Sequence, residues 1–275
     1  MRVTEIKTLH LFAPLDNNLV ELLTSLRPDE WDLPTVAKKW KVRDIAAHLL
    51  DGNIRLISMM RDGYQPPIDT PISSHQDIVE YLNRINAEWV NAMRRVSPEL
   101  LTDLLRQTGP EYTRLIAELD PQETAIFPVS WAGEHKSKNW FHIAREYTEK
   151  WHHQQQIRDA TGKESIMTKE FYYPFLDTCM RALPHTYRDV KFPEGVGLKF
   201  TITGEGGGDW FLKQEDNWIL VDELDCPEAE LILDGEIAWK LFTKSWRKKD
   251  VLPFMKITGL PQLAEPALGM ISVMA

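Results

Sequence analysis

Apolar residues recur every three or four positions through the first 160 residues, the spacing of helices that bury one face. Leu15, Leu19, Val20, Leu22, Leu23 and Leu26 form the first such stripe, over 15–26, and Pro28 closes it. A second pattern covers 42–61, with Ile45, His48, Leu49, Leu56 and Met60 on one face, and stops at Gly63 and the following Pro66 and Pro67. Ser74 followed by Asp77 predicts the start of a third helix, striped by Ile78, Leu82, Ile85, Trp89 and Met93. Ser97-Pro98-Glu99 opens a fourth segment with proline in its first turn. Gly109-Pro110 interrupts it and predicts two short helices in place of one. After a loop punctuated by Pro121, Pro128 and Gly133, the longest helical run covers 138–160 and is closed by Gly162. Short connections and no strands predict an up-and-down four-helix bundle, whose sites are built from inward side chains of facing helices.

Near residue 166 the periodicity changes. One more helix is expected over 168–183, ending at Pro184. Alternating runs typical of strands then follow at 198–202, 210–212, 218–221 and 229–233, separated by turn-forming residues at 204–208 and 215–217. A helix with Ile237, Leu241 and Phe242 comes next, then Ile257 and a short C-terminal helix ahead of 270–274. The pattern predicts a bundle over 1–165 and a smaller α+β domain over 166–275. Gly206 to Gly208 stand between two strands, so they read as a turn and not as a phosphate-binding loop.

Composition adds constraints. Hydrophobic residues make up 43% of the 275, enough to build a core, so wholesale disorder is excluded. The formal net charge is −9, and neither predicted domain is basic. A surface tracking nucleic-acid phosphates or anionic membranes is therefore not expected. No stretch reaches the roughly 18 apolar residues of a membrane span, and no signal peptide is recognised, so a soluble cytoplasmic protein is expected. Cys179 and Cys226 are too few and too far apart for a disulfide framework or a CxxC motif, and both are expected to be buried free thiols. Ten tryptophans point to thick helix packing or an aromatic-lined pocket.

The chemistry concentrates in 142–153. At about 100° per residue, Glu149 and His153 lie about 40° apart around a helix and one turn apart along it, so both can converge on one metal ion. His142 and Glu146 share the same strip, whereas His152 points about 100° away from His153. One turn of helix supplies two ligands, and the third is best sought on another helix. His48, on the apolar face with Ile45 and Leu49, is the best option. A His/Glu/His set with an open position suits Zn²⁺ or a similar divalent ion in a catalytic rather than a structural role, and Ni²⁺, Fe²⁺ or Mn²⁺ would fit the same donors. The competing reading is a hydrogen-bonded core histidine beside a solvated face with pairs such as Glu146 and Lys150. Lys244 to Lys249 form a basic cluster, read either as a solvated helix end or as an anion clamp in which Lys244 and Arg247 hold a substrate carboxylate.

Three segments carry a family resemblance: Trp40 to Leu49 (WKVRDIAAHL), Ser130 to Glu134 (SWAGE) and Arg145 to Ala160 (REYTEKWHHQQQIRDA). Together they resemble the mycothiol-dependent maleylpyruvate isomerase family, among the DinB-like metal-binding helical bundles. The resemblance implies a divalent metal, usually zinc, held by His48, Glu149 and His153, and a sterol-carrier-like α+β second domain. It further implies a low-molecular-weight thiol, such as mycothiol or bacillithiol, bound at the metal. There the thiol would serve an isomerase or a thiol S-transferase working on a small electrophilic substrate. Family members often carry an arginine for a substrate carboxylate in the second domain, and the matching stretch 238–245 has lysine instead. A monomer or homodimer is expected, and the alternative function is a non-enzymatic small-molecule or lipid binding protein with a metal-stiffened bundle.

Overall fold

At several helix starts a side chain satisfies backbone N–H groups that the first helical turn leaves without partners. The computed structural model describes residues 4–273. Its helices are α1 Phe12–Thr24, α2 Val42–Met60, α3 His75–Met93, α4 Pro98–Ala117, α5 Asn139–Thr161, α6 Lys169–Met180, α7 Leu183–Thr186, α8 Gly235–Phe242, α9 Lys248–Val251 and α10 Pro261–Ala264. The strands are β1 Gly197–Ile202, β2 Gly208–Gln214, β3 Trp218–Val221, β4 Ala229–Leu233 and β5 Met255–Gly259. At the start of α3, Asp77 N donates to Ser74 Oγ (3.2 Å) and Ser74 N donates to Asp77 Oδ2 (2.8 Å), the reciprocal pair expected from the sequence. At the start of α4, Leu100 N donates to Ser97 Oγ at 3.2 Å without a reciprocal bond, and Pro98 takes the first position. At the start of α2 the buried Asp44 accepts from Lys41 N at 3.0 Å and from both Nε and Nη2 of Arg94 at 3.2 Å.

Two compact units emerge. One comprises 9–120 and 153–165. In it α4 packs against α1 and α2, and α2 against α3, around a core that includes Leu19, Leu23, Val42, Ile45, Leu50, Leu101, Leu105 and Ile157. Gly109-Pro110 does not break α4, which continues as one helix to Ala117. Buried Leu101 and Leu105 before the proline, and Tyr112, Leu115 and Ile116 after it, hold both halves to the core and offset the hydrogen bond that proline removes, about 3 kcal/mol.

The other unit comprises 121–152 and 166–273 with the segment ending at Thr8. Its sheet runs β3-β2-β1-β4-β5, with β1 and β4 parallel and every other pair antiparallel. Alternation puts Leu198, Phe200, Ile202, Trp210, Leu212, Leu231 and Leu233 on the buried face, and register aligns Phe200 with Trp210 and with Leu231. Helix α8 closes this face through Phe242, edge-on to Phe200, and α6 through Tyr173, stacked on Trp210. Gly206 and Gly207 lie in the β1–β2 turn as expected, whereas Gly208 already begins β2, opposite Ile202. A Cβ on Gly207 would stand 2.1 Å from the carbonyl oxygen of Ile202. Ile257, the one position marked near the C-terminus, belongs to an added edge strand, β5. Pro184, expected to end a helix over 168–183, sits instead in the first turn of α7 after a break at Arg181.

The division read at residue 165 falls in the gap between α5 and α6, whereas the compact units part inside α5, between His152 and His153. The cause is packing. Tyr147 Oη donates to the Phe171 carbonyl at 2.6 Å and Trp151 stacks on Tyr172, while Ile157 joins the first unit's core and Gln154 Nε2 donates to the Leu15 carbonyl at 2.8 Å. Both cysteines are free thiols, but only Cys179 is buried. Cys226 is exposed, because its neighbours Asp225, Pro227 and Glu228 form a polar turn between β3 and β4. No helix among the described residues is long and apolar enough to cross a membrane.

Candidate metal centre

Helix α5 is a polar helix in a buried setting. From Asn139 to Ile157 none of its residues is exposed, although the run includes three histidines, Arg145, Glu146, Glu149, Lys150 and three consecutive glutamines. The solvated-face reading of these charges is therefore overturned. A buried polar side chain costs stability unless it finds a partner, so a helix of this composition must be wired internally.

The wiring is specific. His152, the histidine angled away from the strip, places Nδ1 2.8 Å from the Thr148 carbonyl of its own helix. At the N-terminal end of the strip, Arg145 Nη2 donates to His142 Nδ1 at 2.7 Å and to Glu146 Oε1 at 2.6 Å. Burial pushes the His142 imidazole below its ordinary pKa, with Glu146 opposing the shift and Arg145 adding to it. Because guanidinium nitrogens only donate, His142 carries its proton on Nε2.

One turn further on, Glu149 and His153 meet His48 of α2. Each offers a ligand atom, and all of these atoms lie within 4.8 Å of one another. Among the described residues this is the one cluster of three or more His, Cys, Asp or Glu side chains able to hold a metal ion. His142, Glu146 and His152 are outside it. The two imidazoles meet edge to face, centroids 4.7 Å apart. Two nitrogens and one carboxylate oxygen form a donor set that fits zinc and its neighbours, with positions left for an incoming group. One carboxylate against a divalent cation leaves a charge of +1, which favours an anionic fourth ligand.

Two residues near this cluster escaped the sequence reading. Trp40 lies with its ring centroid 4.7 Å from His48 and 5.8 Å from His153, walling both imidazoles. Gln156 Oε1 is 2.9 Å from His153 Nδ1, a contact that the i,i+3 spacing on α5 could have revealed. The Trp40 contact makes a testable prediction: Co²⁺ titrated into the protein should quench part of the tryptophan emission, and Trp40→Phe should abolish most of that response. An undiminished response in the variant would place the quenching ion elsewhere.

Lys244 and Arg247 are exposed and follow α8. Lys244 has a left-handed backbone (φ 59°), and Arg247 N donates to Asp250 at the start of α9. Neither belongs to the three-residue cluster. Cys179 is fully buried, and burial pushes its thiol far above the usual range, with Glu149 and Asp177 adding to the shift, so it stays protonated and unreactive.

A family model described as the mycothiol maleylpyruvate isomerase N-terminal domain matches residues 12–158, more than half of the chain. The chain belongs to this family. The matched segment of the mycothiol maleylpyruvate isomerase family contains His48, Glu149 and His153 and stops short of Lys244 and Arg247. The crystal structure of a histidine-to-alanine mutant of mycothiol-dependent maleylpyruvate isomerase is similar over 91% of this chain and 91% of that one, with a TM-score of 0.55 and 12% identity. A second structure of mycothiol-dependent maleylpyruvate isomerase is similar over 85% and 86% of the two chains, with a TM-score of 0.53 and again 12% identity. At that identity the likeness speaks for the fold, and it extends past the family match into the sheet. No curated protein sequence matches the chain.

Proposed function

We propose that the protein is a divalent-metal enzyme of the thiol-dependent isomerase or S-transferase type, with His48, Glu149 and His153 as the metal ligands and zinc as the preferred ion. The observation that carries this reading is the convergence of two histidines and a glutamate from two helices. A bound divalent cation would supply Lewis acidity and hold a low-molecular-weight thiol, mycothiol or bacillithiol, as its thiolate near neutral pH. The chain's own residues do the rest. Glu149 would lower the net charge of a site holding a divalent cation to +1, which would favour an anionic sulfur over a neutral one. Trp40 narrows the approach beside the imidazoles. Burial of His153 and Gln156 shields that imidazole from water, while His48 and Glu149 are half-buried. With Cys179 buried and protonated, the sulfur nucleophile comes from a bound small molecule. The family membership supports the isomerase class.

In this reading Lys244 and Arg247 are exposed cations suited to a substrate carboxylate. The protein works in the cytoplasm as a monomer or homodimer on a small electrophilic substrate. Calorimetry tests the central claim. Mycothiol titrated into zinc-loaded protein should bind with one site per chain, and titrated into metal-free protein should give no heat. Equal binding to the two forms would defeat the proposal.

A further inference from the structure

Metal-binding histidines depend on what their second nitrogen does, because that contact selects the tautomer and aims the ring. His153 and Gln156 are both buried, 6% and 3% exposed. Three residues apart on α5, they lie about 60° apart around the axis and on adjacent turns, so the carboxamide can reach back to the ring. Gln156 Oε1 stands 2.9 Å from His153 Nδ1. A carboxamide oxygen only accepts, so the proton of a neutral His153 is held on Nδ1 and the lone pair left on Nε2. If the amide turned over, its NH₂ would donate to Nδ1 and the proton would move to Nε2, closing that nitrogen to any cation. The contact is therefore a selector between a ligating and a non-ligating imidazole.

We infer that Gln156 is a positioning residue of the metal centre: its carboxamide oxygen fixes His153 in the Nδ1–H tautomer and presents Nε2 to the ion. The inference rests on the metal-site reading above, and its consequence is specific. An acceptor at position 156 is required, whereas bulk or polarity alone does not suffice. Gln156→Leu keeps the size and loses the acceptor. Gln156→Glu keeps an acceptor and cannot donate when ionised.

Two measurements on the full chain test this. Zn²⁺ affinity, by competition with a chromophoric chelator, should fall about 10- to 100-fold in Gln156→Leu and stay within a few-fold of wild type in Gln156→Glu. In the metal-free protein, ¹⁵N correlation spectra of the imidazoles should show His153 as the Nδ1–H tautomer in wild type and Gln156→Glu, and as the Nε2–H form or a mixture in Gln156→Leu. Equal Zn²⁺ affinity in wild type and Gln156→Leu would overturn the inference, as would an unchanged His153 tautomer in Gln156→Leu. A matching loss of affinity in both variants would overturn it too. Absence of Zn²⁺ binding by wild type would instead bring down the metal-site reading, and the tautomer spectra would still decide the role of Gln156.

Discussion

His153→Ala is expected to leave the protein without stoichiometric divalent metal under conditions where wild type retains one equivalent. The three candidate ligands sit within 4.8 Å of one another, so each carries a large share of the binding free energy. A four-ligand zinc site in a small domain is worth roughly 10–16 kcal/mol, about 3 kcal/mol or more per ligand, so losing one raises the dissociation constant by roughly two to three orders of magnitude. His48→Ala should behave alike, because it removes the second imidazole. Glu149→Gln should weaken the site while keeping its shape, since it removes the only negative charge in the cluster. His142→Ala is the informative control: its Nδ1 is engaged by Arg145 outside the cluster, and it should keep full metal content. Metal that binds the folded chain alone also stabilises it, by about 2.7 kcal/mol at a hundredfold excess over the dissociation constant. Wild type should therefore melt at a higher temperature with Zn²⁺ added and His153→Ala should not. Elemental analysis and thermal melts check both statements, and one retained equivalent in His153→Ala would refute the assignment.

Trp151→Ala should cost about 3–5 kcal/mol of stability, the largest effect expected of a single substitution outside the cluster. Trp151 is fully buried. It is stacked on Tyr172 at 4.8 Å, lies 4.2 Å from Phe175, faces Trp239 edge-on at 6.5 Å, and its Nε1 donates to the Ile166 carbonyl at 3.3 Å. Alanine leaves a cavity walled by three aromatic rings that cannot all collapse into it, and removes one donor to the Ile166 carbonyl. Trp151→Phe fills most of that space and should cost about 1.5 kcal/mol or less. Position 151 lies two residues from Glu149 and two from His153, about 200° around α5 from each, so one side of the helix anchors the core while the other presents the ligands. Trp151→Phe should accordingly bind Zn²⁺ like wild type. Urea denaturation followed by circular dichroism measures the cost, and a loss below about 1 kcal/mol for the alanine variant would contradict the packing described.

Several features were legible in the sequence because they are local. Helix starts at Ser74 and Ser97 depend on side chains reaching backbone groups three residues away, and both form as expected. Alternation in β1 to β4 reports which side of each strand is buried. The pairing of Glu149 with His153 follows from 3.6 residues per turn alone. The continuity of α4 through Pro110 and the edge strand β5 were misjudged or missed for a common reason: each is decided by what packs around the segment, which no window of sequence contains, whereas the exposure of Cys226 follows from polar neighbours that the sequence does show.

The sequence by itself determined that α5 would carry a carboxylate and an imidazole one turn apart, and it named His48 as the residue able to complete them, since these follow from periodicity and from a histidine on an apolar face. Only the tertiary structure decided that α5 is buried along its length, so that its charges cannot be solvated and must find partners. It also decided that His48 of α2 arrives within 4.8 Å of the other two, that Trp40 walls the imidazoles, and that Gln156 takes the second nitrogen of His153. The physical reason is that spacing along a helix sets direction, while approach between helices is set by the packing of side chains distant in sequence, and a metal centre needs both.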